Sequence, residues 1–133
     1  MELRGKTFLL TGASGGIGQA MAQALAAQGV RLLLVGRDTT KLDAVKRSLP
    51  LTDGSASPHL IVLADLATDS GRTALVQACQ AAGPLDGVIN NAGVSQFALI
   101  DAQDFAAQLQ TNLLAPMQLT QTLLPQLLAR PAA

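Results

Sequence analysis

The sequence predicts an α/β fold built on a doubly wound parallel sheet, and three observations lead there. Four short apolar runs recur along the chain, and none alternates with polar residues. Strands of that kind are covered on both faces, which is the habit of parallel sheets. Segments of helical composition separate the runs in the order βαβαβαβα, and right-handed crossovers then put helices on both sides. Finally, a glycine cluster, "TGASGGIG" at Thr11 to Gly18, stands where the first run gives way to the first helical segment.

The elements follow in order. Lys6 to Leu10 is a short buried strand ending at the glycine turn. Ile17 to Gln28 is rich in Ala, Leu, Met and Gln, all good helix formers, and Gly29 stops it. Arg31 to Gly36, "RLLLVG", is the second strand. Thr39 to Leu49 places Leu42, Val45 and Leu49 at helical spacing before Pro50. Leu51 to Pro58 is a polar loop, and "HLIVLA" from His59 is the third strand. Asp69 to Ala82 is a helix with Leu75, Val76 and Cys79 on its inner face, closed by Gly83-Pro84. Gly87 to Asn90 is the fourth strand. Asp101 to Arg130 reads as one long helical stretch interrupted at Pro116 and Pro125.

Composition narrows the function classes. The 133 residues fit a single domain, 1–133, and 49% hydrophobic content supports a real core. Nine basic residues balance nine acidic ones without a block of either sign, which argues against a nucleic-acid or membrane-surface partner. The longest apolar runs are too short to span a bilayer, and Phe8-Leu9-Leu10 is too short for a signal-peptide core. Cys79 is the only cysteine, so no internal disulfide forms, and a cytoplasmic location is expected. No His/Cys cluster has metal-ligand spacing, so no metal is expected.

The glycine cluster carries the strongest chemical signal. Gly12 suits a tight turn, Gly16 leaves room for a pyrophosphate beside the backbone, and Gly18 lets the helix pack closely on the sheet. The helix N-terminus offers unpaired N–H groups and partial positive charge to a phosphate. The bland alternative is that the glycines only make a sharp turn.

Four stretches, in order, resemble the short-chain dehydrogenase/reductase family. "TGASGGIG" resembles its cofactor loop. "LADLA" puts Asp65, with Leu66 beside it, where the family's acidic residue contacts adenine. "NNAG" follows the fourth strand, and "TNLLAPMQLTQTLLP" puts Asn112 at the Asn of the family's catalytic tetrad. The resemblance implies a Rossmann-like sheet in strand order 3-2-1-4, truncated after the fourth βα unit. It implies cofactor contacts from Thr11, Gly12, Ser14, Gly15, Gly16, Ile17 and Gly18, from Asp65 and Leu66, and from Asn91, Ala92 and Gly93. The family's cofactor-selecting position falls on Gly36, which has no carboxylate for a ribose hydroxyl. Arg37 follows, and a guanidinium there suits a 2′-phosphate, so NADP(H) is favoured over NAD(H). Asp38, one place further on, could reach a ribose but reads more readily as a helix-start residue.

The resemblance also implies hydride transfer between the nicotinamide and a carbonyl/alcohol pair, with Tyr and Lys as the acid/base couple and Ser polarising the substrate. The chain contains no Tyr; its lysines are Lys6, Lys41 and Lys46, all before the third strand. Its last serine is Ser95, before the family's catalytic Ser would arise. Of the tetrad, only Asn112 is matched, and its plainer reading is a polar residue at a kink made by Pro116. The chain is expected to bind a nicotinamide dinucleotide yet be inactive alone, with a small carbonyl/alcohol substrate only in a full-length relative. A non-catalytic NADP(H)-binding sensor or regulatory module, or a non-functional truncated fragment, is the alternative. Only Ser95 to Ile100 falls where a substrate pocket would be lined.

The remaining candidates read as structural. His59 is expected to be a partly exposed residue at a strand entry, and Cys79 a core residue. Asp101 and Asp104 are expected to favour the start of the long helix. With four strands, Val88-Ile89-Asn90 would be an unpaired apolar edge, and the long helix is apolar on more than one face. Self-association through that edge and helix is therefore expected.

Overall fold

The computed structural model describes residues 1–51, 58–95 and 98–131. Most of the expected 51–58 loop, and Gln96 and Phe97 of the expected pocket lining, lie outside them. Strands β1 (Thr7–Thr11), β2 (Arg31–Gly36), β3 (Leu60–Leu63) and β4 (Gly87–Ile89) form one sheet in the order β3-β2-β1-β4. All three pairings are parallel, as the unbroken apolar runs predict. Helices α1 (Gly16–Ala27) and α2 (Thr39–Ser48) lie on one face. Helices α3 (Asp69–Ala82) and α5 (Ala115–Leu128) lie on the other.

The two cores explain why polarity does not alternate in the inner strands. Phe8 and Leu10 of β1, with Leu32 and Leu34 of β2, pack against Ala22, Ala26, Leu42 and Val45. The intervening Leu9, Leu33 and Val35 pack on the opposite side against Leu75, Cys79, Ala115, Leu119 and Leu123. The period of two is there, but both sides are apolar because both are covered. The outer strands are less protected: Leu60 and Leu63 of β3 are exposed, and β4 is half-buried throughout.

The expected single long helix is corrected. Ile100–Ala102 is a 3₁₀ turn holding Asp101, and Asp104 caps a separate short helix α4 (Phe105–Leu109), accepting from the Ala107 amide. Gln110–Leu114 is then a π-helical turn, closed by the Ala115 amide donating to the Gln110 carbonyl. Pro116 lies in the first turn of α5. It has no N–H for the Asn112 carbonyl four residues back, and its ring crowds that carbonyl, so the helix widens ahead of it rather than kinking at it. Pro125 does not interrupt α5 either. Both Pro125 and Gln121, whose carbonyl loses its donor, are exposed, on the side of the helix where solvent can satisfy it.

His59 is not partly exposed but buried, at 2% relative exposure, and its Nδ1 accepts the Leu32 amide at 3.1 Å. Burial first, then Lys46 and Arg31, lowers its pKa below the ordinary imidazole value. Another buried polar group ties the base of the sheet. Asp86 accepts the Thr7 amide at 2.9 Å and Arg130 Nε at 2.7 Å, with Lys6 Nζ at 3.7 Å. Burial would raise its pKa, but the Thr7 amide, Arg130 and Lys6 together hold it below the usual carboxylate value. Among the described residues no helix is long and apolar enough to cross a membrane.

Candidate functional site

The carboxyl ends of the strands open on a cleft of about 410 Å³, between β1 and β4, where the chain leaving β1 passes to α1 on one face and the chain leaving β4 passes toward α5 on the other. Such switch points are where open α/β sheets bind ligands. The β1–α1 loop forms its floor. Gly12 has φ +65°, and a Cβ on it would lie 2.8 Å from Ala92 Cα. Only glycine lets the first loop touch the loop after β4 in this way. A Cβ on Gly18 would lie 2.0 Å from the Gly12 carbonyl oxygen, so α1 packs against its own loop. A Cβ on Gly16 would meet no atom of the described residues within 4 Å beyond its own helix; beside it is open cleft.

The start of α1 differs from those of its neighbours. Asp38 caps α2 by accepting the Lys41 amide, Thr68 caps α3 by accepting the Gly71 amide, and Asp104 caps α4. At α1 the cap position is Gly15, and among the described residues no side chain accepts from the first turn. Its N–H groups face a cleft also lined by Ser14, Gly15, Gly16 and Ile17, the last 72% exposed.

The far wall comes from β2 and β3. Val35, Gly36 and Arg37 line it at the end of β2, and Ala64, Asp65 and Leu66 at the end of β3. Arg37 is exposed, and among the described residues no carboxylate pairs with it. Asp65 Oδ1 accepts the Ala67 amide at 3.0 Å.

The near wall is the loop after β4, where Asn91, Ala92, Gly93 and Val94 line the cleft. Side-chain amides fix this loop. Asn90 Nδ2 donates to Thr120 Oγ1 on α5, and Asn91 Nδ2 donates to the Gly12 carbonyl. Asn112 accepts the Val94 amide and donates to the Val94 carbonyl, both at 2.7 Å. Thr11 stands behind this wall, buried. Its hydroxyl accepts the amides of Asn91 and Ala92, each at 3.0 Å, and donates to the Ile89 carbonyl.

The cleft therefore gathers every residue that sequence reasoning named for the cofactor except Thr11, which braces the wall from behind. Asn112 is not among the lining residues either, and its amide is committed to Val94. Thr111 beside it lines the cleft instead. Val35, Ala64, Val94 and Thr111 were missed; the first two, one residue before the end of β2 and one after the end of β3, could have been found from the strand ends that point at a switch point. Asp101 and Asp104 lie outside the cleft, as do Lys6, which faces Asp86 at the opposite end of the sheet, and Lys41 and Lys46 on α2.

Comparison with known proteins accounts for this arrangement. The family described as short chain dehydrogenase matches residues 6–133. Ketoacyl reductase HetN of Nostoc sp. is 38% identical over 132 residues, covering 96% of this chain and 45% of that protein. The crystal structure of a metagenomic short-chain oxidoreductase in complex with NADP superposes with a TM-score of 0.82 at 31% identity, covering 97% of this chain and 58% of that one. L-Sorbose reductase from Gluconobacter frateurii, complexed with NADPH and L-sorbose, gives 0.83 at 31% identity, covering 98% and 51%. The chain spans about half the length of these proteins. With its sheet order, its glycine-floored cleft and a family match over nearly all its length, the chain belongs to the short-chain dehydrogenase family.

Proposed function

We propose that residues 1–133 bind NADP(H) and form the cofactor-holding half of a carbonyl/alcohol oxidoreductase. The observation that carries this reading is the uncapped start of α1 over an open cleft beside Gly16. Unpartnered N–H groups at a helix start are an anion site, and the space left free beside Gly16 suits a pyrophosphate. The guanidinium of Arg37, which no carboxylate pairs with among the described residues, suits a 2′-phosphate, which it can grip with two parallel N–H bonds. The second carboxylate oxygen of Asp65 suits the amino group of adenine. The NADP and NADPH in the two solved relatives support the phosphorylated cofactor.

Bound there, the dinucleotide would supply a hydride. The described residues of the cleft hold and orient it; they include no Lys, His or Tyr to move the accompanying proton. We infer that this stretch binds without turnover, and that proton transfer requires a Tyr, of which it has none, with a Lys and a Ser placed beside it. The same reading takes the protein to be cytoplasmic, where the thiol of Cys79 stays reduced. It includes self-association through the open side of β4 and the exposed Leu113, Met117, Leu124 and Leu128. A clean monomer in sedimentation at micromolar concentration would contradict that part.

The test of the main reading is titration with NADPH and with NADH, followed by nicotinamide fluorescence. The chain has no Trp or Tyr to interfere. Saturable binding, tighter for NADPH, is expected, and Arg37→Gln should weaken NADPH by about tenfold while leaving NADH nearly unchanged. Binding of neither dinucleotide refutes the reading.

A further inference from the structure

The turn after β3 repeats the packing device of the glycine loop at the same spacing. Gly18 stands six residues after Gly12, and a Cβ on it would lie 2.0 Å from the Gly12 carbonyl oxygen. Gly71 stands six residues after Asp65, and a Cβ on it would lie 2.0 Å from the Asp65 carbonyl oxygen and 2.8 Å from the Asp65 carbonyl carbon. The first turn of α3 thus rests directly on the backbone of Asp65. Thr68 reinforces the seat: its amide and its hydroxyl both donate to the same Asp65 carbonyl, at 3.2 and 2.9 Å.

Arg72 completes the fastening. It is 6% exposed, an unusual position for a guanidinium on a surface helix. Its Nη1 donates to the Leu66 carbonyl at 2.7 Å, and its Nη2 pairs with Asp69. The Asp69 side chain is 97% exposed, so water already serves that carboxylate and the ion pair adds little. The firm acceptor is the Leu66 carbonyl. Packing alone would be met by an apolar side chain at this position, without the desolvation that a buried cation costs. Asp65 and Leu66, with Ala64 before them, line the cleft.

We propose that Gly71 and Arg72 are positioning residues for the adenine end of the cofactor: they clamp Asp65 and Leu66 to the start of α3, so that the base meets a fixed polar edge. This rests on the dinucleotide reading above. Neither residue touches the ligand. The Asx turn uses Oδ1 of Asp65 on the Ala67 amide, leaving the other oxygen to accept from the adenine amino group. Its placement is only as good as that of the backbone that Gly71 and Arg72 hold.

The test compares NADPH with its hypoxanthine analogue, in which a carbonyl replaces the adenine amino group. The wild type should prefer NADPH by about tenfold, the size of one charge-assisted hydrogen bond. Arg72→Met, which keeps the stem and removes the donors, and Gly71→Ala should each weaken NADPH and bring the ratio to within about twofold of one. A merely structural loss of stability lowers both affinities together and leaves the ratio intact. Circular dichroism melts identify the folded variants. If Arg72→Met does not fold, Gly71→Ala decides alone: its clash with Asp65 is a moderate loss that alanine's preference for the helix partly offsets. A wild type that binds both dinucleotides equally, or folded variants that keep the wild-type ratio, overturns the inference and leaves the cofactor reading standing. A wild type that binds neither overturns the cofactor reading and the inference together.

Discussion

Two glycines of the first loop, two residues apart, should respond to alanine in opposite ways. At Gly18 the new Cβ starts 2.0 Å from the Gly12 carbonyl oxygen, with the Gly12 carbonyl carbon at 2.9 Å and Ala13 Cα at 3.0 Å. Ordinary contact is 3.4 Å, so loop and helix must part by about 1.4 Å, and every crowded atom is backbone. Overpacking of this kind costs about 1–3 kcal/mol, and the helical gain of alanine over glycine returns about 1 kcal/mol at most. A 1.4 Å overlap with backbone falls in the upper half of that range, about 2–3 kcal/mol, so Gly18→Ala should lose about 1–2 kcal/mol net and melt roughly 3–10 °C lower. At Gly16 the new Cβ meets nothing, so Gly16→Ala should melt at or slightly above the wild-type temperature. Its methyl instead occupies the cleft beside the uncapped helix start, and NADPH affinity should fall at least about tenfold. Thermal melts and nicotinamide fluorescence read the two effects separately. A Gly18→Ala variant as stable as wild type would refute the packing argument. An undiminished NADPH affinity in Gly16→Ala would refute the pyrophosphate's placement.

The buried polar groups give three further predictions. Asp86→Ala should destabilise by about 2–4 kcal/mol in urea titration, since it strands the buried Thr7 amide; Lys6 and Arg130 are partly exposed and rehydrate. The lowered His59 pKa means that the unfolded chain takes up a proton near pH 6.5 that the folded chain refuses. Stability should then fall as pH drops below about 6.5, by at most about 1.4 kcal/mol per unit, and His59→Asn should abolish that slope. Burial pushes the Cys79 thiol up to about 11, so an aromatic disulfide reagent at pH 8 should label it only when denaturant unfolds the chain.

The parts of this structure that were legible in the sequence are those set by local rules. The four strands and first three helices follow from apolar runs and from stops such as Gly29 and Gly83, with ends within a residue or two. The cleft was legible because its residues sit at strand ends, where the fold alone sends them. What was hidden depends on partners distant in sequence. Pro58 before His59 suggests an exposed entry, and nothing local reveals that the Leu32 amide is waiting for the imidazole. Asn112 matches a catalytic position, but Val94, 18 residues away, takes up both ends of its amide. The break-up of the final helical stretch was hidden differently. Pro116 is visible, yet its effect appears upstream, in the turn whose carbonyl it fails to serve.

Strand β4 pairs through only three residues, and its outer side has no partner among the described strands. Its link to β1 spans 79 residues between Thr7 and Asp86, against 24 from Thr7 to its partner Arg31 on β2. Loop-closure entropy grows only logarithmically, so the longer link costs only about 1 kcal/mol more, too little to delay β4 greatly in folding. The short ladder matters more once the chain is folded. Amide hydrogens of β4 and of Asn91 and Ala92 should exchange through a local opening that leaves β1 to β3 intact. The cleft would then come apart and re-form many times in the lifetime of the sheet, and a ligand bridging both walls would slow that exchange before it changed the melting temperature.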